Sequence, residues 1–141
     1  MKGIDVKQNS ILIIDDNSEF LNASIEYLTC DMKMDLITWA VSPEEAEDKF
    51  NKYSPELVIL DLGMNNLNGQ ELSSWFKNQP NAPKVMITSF IDNSDYRDLA
   101  REIGADGFLT KDNFQAAFPE VVQFMNKDLN KIFTEHKHIL N

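Results

Sequence analysis

Asp15, Asp16, Asp61, Thr88 and Lys111 each stand at or just past the end of a short apolar run. Residues 11–14 lead into Asp15-Asp16, residues 57–60 into Asp61, and residues 85–87 into Thr88. Phe108-Leu109 leads through Thr110 into Lys111. Three carboxylates, a hydroxyl and an ammonium suit a divalent cation together with a phosphoryl group. The Asp61 carboxylate is the candidate nucleophile, because an aspartate can carry a phosphoryl group as an acyl phosphate and is ionised without help near neutral pH. Crowding three carboxylates is costly. At roughly 4 Å and an effective dielectric of about 20, each pair repels by about 4 kcal/mol. A divalent ion offsets that repulsion, and Mg²⁺ typically uses one or two carboxylates plus a substrate phosphate. Lys111 would meet a phosphoryl oxygen as a point charge, and Thr88 would donate its hydroxyl to another.

These side chains can meet only if the runs are strands of one sheet. Short runs with β-branched residues and turn-forming flanks read as strands buried on both faces. In an open parallel sheet all carboxyl ends lie on one edge, where ligands bind. The spacing fits: 46 positions separate Asp15 from Asp61, 27 separate Asp61 from Thr88, and 23 separate Thr88 from Lys111. A strand–helix repeat takes roughly 25 to 30 residues, so the first gap holds two repeats. The strand it hides is 36–41, which makes five parallel strands with right-handed crossovers.

Between the strands, the punctuation is helical. Asn17 or Ser18 can cap a first helix whose apolar residues Phe20, Leu21, Ile25 and Leu28 fall at helical spacing. Ser42-Pro43-Glu44-Glu45 starts a second helix with a cap, a proline at its first position and a capping-box glutamate. A third helix is expected from Gln70 to about Asn78, and a fourth from near Ser94 to Ile103, stopped by Gly104. Strand four is expected over 84–88 and strand five over 107–110. Pro119 reads as the first position of the last helix, whose stripe is Phe118, Val121, Val122, Met125, Leu129, Ile132, Phe133 and His136.

At 141 residues the chain reads as one domain, and the formal net charge of −10 argues against nucleic acid as a direct partner. No apolar run approaches the roughly 20 residues that span a bilayer, so no membrane is expected. The first residues lack the apolar core of a secretory signal, and the single cysteine fits a reducing cytoplasm. Cys30, at the end of the first helix, is expected to be a small buried or half-buried side chain.

With these residues in view, the sequence resembles the receiver domains of two-component response regulators, over about residues 9–126. Ile-Leu-Ile-Ile-Asp15-Asp16-Asn looks like the family's first strand with its acidic pair. Val-Ile-Leu-Asp61-Leu-Gly-Met looks like the phosphoacceptor strand, and Val-Met-Ile-Thr88-Ser89 like the switch strand. The run from Gly104 to Lys111 looks like the aromatic-plus-lysine signature. The resemblance implies a flavodoxin-like, doubly wound (βα)5 fold with strand order 2-1-3-4-5. It implies Mg²⁺ held by Asp16, Asp61 and the backbone carbonyl of Gly63, and through water by Asp15. It implies a histidine kinase or histidine phosphotransfer protein as phosphodonor to Asp61. It also implies a switch in which Thr88 moves toward the phosphoryl group and Phe108 turns inward behind it.

Two positions depart from the family pattern. Asn65 stands where a proline is usual four residues after the phosphoacceptor, and Asp112 where a proline, often cis, follows the lysine. Because a non-proline cis bond costs about 2.5–4 kcal/mol, the placement of Lys111 is the detail at stake. Gly63 and Phe90 flank the expected path of hydrolytic water, and neither side chain can hydrogen-bond it, which points to a long-lived aspartyl phosphate.

The chain reads as a stand-alone regulator of the chemotaxis type, cytoplasmic, with no separate substrate to turn over and no room for an output domain. It is expected to act by docking on a downstream protein or by relaying phosphate. Docking or homodimer formation is expected on the face of helix four, strand five and helix five, or on residues 127–141, which prolong the last helix. Two other classes stay open: a receiver-like binding module that works without phosphate, and a phosphatase of the haloacid dehalogenase type. Against the latter, the first strand reads Asp-Asp-Asn rather than Asp-x-Asp.

Overall fold

The computed structural model describes residues 10–34, 36–63 and 69–123. Five strands alternate with five helices: β1 (Ser10–Ile14), α1 (Ser18–Glu26), β2 (Leu36–Ala40), α2 (Pro43–Tyr53), β3 (Leu57–Asp61), α3 (Gly69–Lys77), β4 (Lys84–Ser89), α4 (Ser94–Glu102), β5 (Gly107–Thr110) and α5 (Phe114–Gln123). All strand pairs are parallel, and the sheet order is β2-β1-β3-β4-β5. This is the flavodoxin-like α/β arrangement that the resemblance implied.

The sheet sorts its side chains by parity. Ile11, Ile13, Leu57, Ile59, Met86 and Leu109 pack under α1 and α5 with Leu21, Phe114 and Phe118. Leu12, Ile14, Val58, Leu60, Val85, Ile87 and Phe108 pack on the opposite face with Phe50, Phe76 and Ala100. Both faces of β1 and β3 are buried, which is why these strands, apart from Ser10 and Asp61 at their ends, are apolar and not alternating. Strand β2 lies at the sheet edge and is only partly covered, with Trp39 exposed.

Local chemistry sets the helix ends. Asn17 Oδ1 accepts the Phe20 N–H at 2.8 Å, so Asn17 is the cap of α1. Ser42 Oγ accepts the Glu45 N–H at 3.2 Å, while Glu45 Oε1 accepts the Val41 N–H at 3.0 Å, a reciprocal cap. Helix α2 ends where Ser54 turns left-handed (φ 47°), just before Pro55. Gly104, with φ 82°, stops the chain after α4 in the left-handed region that glycine enters at no steric cost.

Three expectations need correction. Cys30 is exposed. It sits two residues past the buried Leu28, in a π turn (Tyr27–Asp31) that prolongs α1, so it lies about half a turn round from the buried side. Strand β2 ends at Ala40, one residue short of the expected 36–41. The last helix does not begin at Pro119. A 3-10 turn (Lys111–Asn113) leads directly into α5 at Phe114, and Pro119 lies inside that helix. Phe114 and Ala117 therefore join Phe118 and Val121 in the buried stripe. The rest of the expected stripe, residues 127–141 and Asn65 lie outside the described residues.

A proline inside a helix removes the N–H that would bond the carbonyl four residues back. For Pro119 that carbonyl belongs to Gln115, and the Tyr27 hydroxyl donates to it at 3.0 Å. Tyr27 also meets the Phe114 ring edge-on, at 6.5 Å between centroids. The π turn thus supplies the hydrogen bond that the proline withholds. A double-mutant cycle followed by urea denaturation checks this. Tyr27→Phe should cost about 1 kcal/mol, and the cost should shrink once Pro119→Ala restores the helical N–H.

Candidate functional site

The sheet register brings the expected residues together. Asp61 pairs with Thr88 across β3 and β4, and one step past the Ile14–Leu60 pair stand Asp15 and Asp61. Asp15, Asp61, Thr88 and Lys111 all continue the parity of the face under α1 and α5, whereas Phe108 has the opposite parity. Four side chains from four strand ends therefore converge on one side of the sheet edge.

The three strand ends that carry oxygen ligands turn by the same device. Asp15 Oδ1 accepts the Asn17 N–H at 2.8 Å, Asp61 Oδ1 accepts the Gly63 N–H at 3.0 Å, and Ser89 Oγ accepts the Ile91 N–H at 3.0 Å. In each case a side-chain oxygen bonds the backbone two residues on, which is the habit that makes Asp and Ser turn residues. The Leu62 N–H donates to the Thr88 carbonyl at 3.2 Å and ties the loop after β3 to β4.

Lys111 is the hub. Its Nζ lies 2.8 Å from Asp15 Oδ2 and 3.3 Å from Asp61 Oδ2, and its side chain is 2% exposed. No peptide bond among the described residues is cis, so the Lys111–Asp112 bond is trans and the lysine still reaches both carboxylates. Oxygen atoms of Asp15, Asp16 and Asp61 lie within 4.8 Å of one another. In their charged forms, three carboxylates and one ammonium fall two charges short of neutrality, which a divalent cation would supply. The all-oxygen donor set fits a hard cation such as Mg²⁺, and exposed Asp16 leaves room for the waters that Mg²⁺ retains. Gly63 lies beside Asp61 in the same cleft, of about 280 Å³, which Asn17, Phe90 and Tyr96 also line.

Burial raises the carboxyl of Asp15 above its ordinary range. The hydrogen bond from Lys111 and the Asn17 N–H pull it down, and the neighbouring Asp61 charge pushes it up again. Thr88 is fully buried, and its hydroxyl has no hydrogen-bond partner among the described residues. A buried hydroxyl without a partner is costly unless some acceptor receives its hydrogen bond, and a phosphoryl oxygen on Asp61 would be such an acceptor. Phe108 is fully buried beneath α4, where the Arg97 guanidinium stacks over its ring at 4.8 Å.

Sequence reasoning missed the aromatic surroundings of Lys111. Phe20 reads only as a helix-face residue and Phe90 only as a bulky neighbour, yet both rings face the ammonium. No spacing rule could have found this, since the three residues come from α1, the β4–α4 loop and the turn after β5.

The family model of the response regulator receiver domain matches residues 11–123, and the chain belongs to that family. Among curated relatives, the response regulator protein VraR of Staphylococcus saprophyticus is 29% identical over 115 residues, which is 80% of this chain and 54% of that protein. The transcriptional regulatory protein DegU of Brevibacillus brevis is 26% identical, over 80% of this chain and 48% of its own. This chain spans about half the length of the curated relatives it matches. Among solved structures, a putative response regulator from Chloroflexus aurantiacus superposes with a TM-score of 0.73 at 20% identity, covering 84% of this chain and 98% of that one. The chemotaxis protein CheY4 of Vibrio cholerae gives 0.70 at 18% identity, over 81% and 95%. These likenesses bear on the fold, and family membership sets aside the dehalogenase-type phosphatase.

The buried Asp15 charge has a measurable consequence. Because the folded state raises its pKa, the folded protein holds this proton more tightly than the unfolded chain. Stability from this group is therefore lost as pH rises from the ordinary carboxylate value of 3.8 through the folded value. With divalent ions chelated, Asp15→Asn should raise the melting temperature at neutral pH, and the gain should fade as pH drops below that range. A scan from pH 3 to pH 8 in EDTA measures it.

Proposed function

We propose that this chain is a phosphoacceptor receiver that takes a phosphoryl group on Asp61 from a histidine kinase or a histidine phosphotransfer protein. The observation that carries this reading is the meeting of Asp61, the partnerless Thr88 hydroxyl and Lys111 beside an acidic cluster, in a chain of the receiver family. An Asp61 carboxylate oxygen attacks phosphorus, a C–O–P linkage forms, and the P–N bond of the phosphohistidine breaks. The leaving imidazole keeps the electron pair and takes up a proton from solvent. Lys111 pairs with one phosphoryl oxygen, and Thr88 donates its hydroxyl to another. Asp16, Asp61 and the Gly63 carbonyl would hold Mg²⁺ directly, with Asp15 acting through water. The ion would neutralise charge on the transferring group. The protein catalyses its own phosphorylation and slow hydrolysis, with no separate substrate.

The output we assign is docking on a downstream protein in the cytoplasm through the face of α4, β5 and α5, or passage of the phosphate onward from Asp61. Helix α4 buries only Ala100, so it is lightly anchored, and Arg97 links it to Phe108. A small shift of Thr88 and Phe108 can therefore reposition α4 at little cost in core packing. A homodimer through this face, or through residues 127–141, is a second assigned contact. The net charge of −10 favours proteins over nucleic acid as direct partners. No helix among the described residues is long and apolar enough to cross a membrane.

Intact-mass spectrometry after incubation with acetyl phosphate and Mg²⁺ tests the reading. One phosphoryl group should appear on the wild type and be absent from Asp61→Asn and from samples labelled in EDTA. A wild type that neither acetyl phosphate nor a cognate kinase labels would instead support the phosphate-independent binding module.

The phosphoryl group should also be long-lived. Gly63 offers no side chain to hold an attacking water, and Phe90 beside the cleft is apolar. A Cβ at Gly63 would sit 3.4 Å from Asp61 Oδ1, an ordinary contact, so a Cβ is accommodated there. After donor removal the wild-type label should persist for minutes or longer, and Gly63→Asn should shorten its life several-fold. Decay within seconds in the wild type sinks the idea.

A further inference from the structure

We propose that Phe90 and Phe20 form an aromatic clamp that positions Lys111 against Asp61, which makes Phe90 a positioning residue of the phosphoacceptor site. The functional side of this inference rests on the reading above, while the clamp itself rests on geometry. Lys111 Nζ lies 4.5 Å from the centroid of Phe90 and 4.8 Å from that of Phe20. Both distances are within the roughly 6 Å at which a ring face attracts an ammonium. The two carboxylates bind the same ammonium unequally, with Asp15 at 2.8 Å and Asp61 at 3.3 Å. Charge alone would draw a flexible four-carbon stem toward buried Asp15 and away from the nucleophile. With both rings facing its ammonium, the lysine side chain is 2% exposed.

The two rings are held differently. Phe20 packs edge-on against Phe114 at 5.3 Å and belongs to the layer under α1 and α5, so it is the fixed jaw. Phe90 is 64% exposed, and so large an apolar exposure is not explained by a place in the core. Its backbone is set by the turn in which Ser89 Oγ accepts the Ile91 N–H. Its ring faces the Lys111 ammonium, with no cis bond after the lysine. An aromatic ring here does what shape alone does not: its face carries partial negative charge without accepting the proton or competing for the cation site.

The test compares Phe90→Leu, which keeps apolar bulk without a π face, with Phe90→Tyr, which keeps the face. The clamp predicts acetyl phosphate labelling about two- to fivefold slower in Phe90→Leu and close to wild type in Phe90→Tyr. The Mg²⁺ concentration for half-maximal labelling should not move, because Lys111 is not a ligand of the ion. A second readout needs no phosphorylation: in protein carrying labelled lysine, the Lys111 Cε protons should be ring-current shifted upfield, and Phe90→Leu should move them downfield. Labelling of Phe90→Leu at the wild-type rate, equal loss in the leucine and tyrosine variants, or unmoved Cε protons overturns the clamp. A wild type that takes no label overturns the phosphoacceptor reading instead, and the ring-current shift then decides the clamp by itself.

Discussion

The site depends on one electrostatic constraint: three carboxylates must share the end of a sheet with a single buried ammonium. Lys111 sits 2.8 Å from Asp15 and 3.3 Å from Asp61, and Asp16 completes the group from the solvent side. The lysine removes part of the repulsion and leaves a deficit of two charges. That deficit is what a divalent cation would offset in the proposed function. Burial, with the Asp61 charge adding to it, holds Asp15 partly against ionisation, so folding gives up stability to keep this carboxylate charged.

The parallel sheet is what makes the crowding attainable. Parallel strands put every carboxyl end on one edge, and the pleat sends alternate residues to one side. Asp15, Asp61, Thr88 and Lys111 share the parity that faces α1 and α5, while Phe108 takes the other and enters the core beneath α4. Thr88 and Phe108 thus lie on opposite faces of one sheet, joined through adjacent residues of β4 and β5. Thr88 pairs with Leu109, and Ile87 with Phe108.

Two local compensations show how the chain tolerates its own departures from simple rules. Pro119 deprives Gln115 of its helical partner, and Tyr27 from the π turn replaces it. Asp112 removes the proline that fixes the lysine in most of the family, yet Lys111 is held by two carboxylates and two rings. In both, a side chain distant in sequence supplies what the local sequence lacks.

Much of this was legible in the residues alone. Apolar runs of strand length, spaced by strand–helix repeats and ending in Asp, Thr and Lys, are local patterns, and they determined the strand count, the parallel sheet and the site's main residues. Caps such as Asn17 and Ser42 were equally legible, because each acts within three residues of itself. Pro119 was misread because a proline at the start of a helix and one inside it look alike until the helix's true start at Phe114 is known. Cys30 was misplaced although its offset from Leu28 carried the signal. Only the tertiary structure decided that Lys111 reaches both carboxylates through a trans bond, that the Thr88 hydroxyl has no partner among the described residues, and that Phe20 and Phe90 face the ammonium. Those facts depend on distances between segments tens of residues apart, and such distances are set by packing of whole layers rather than by any local pattern.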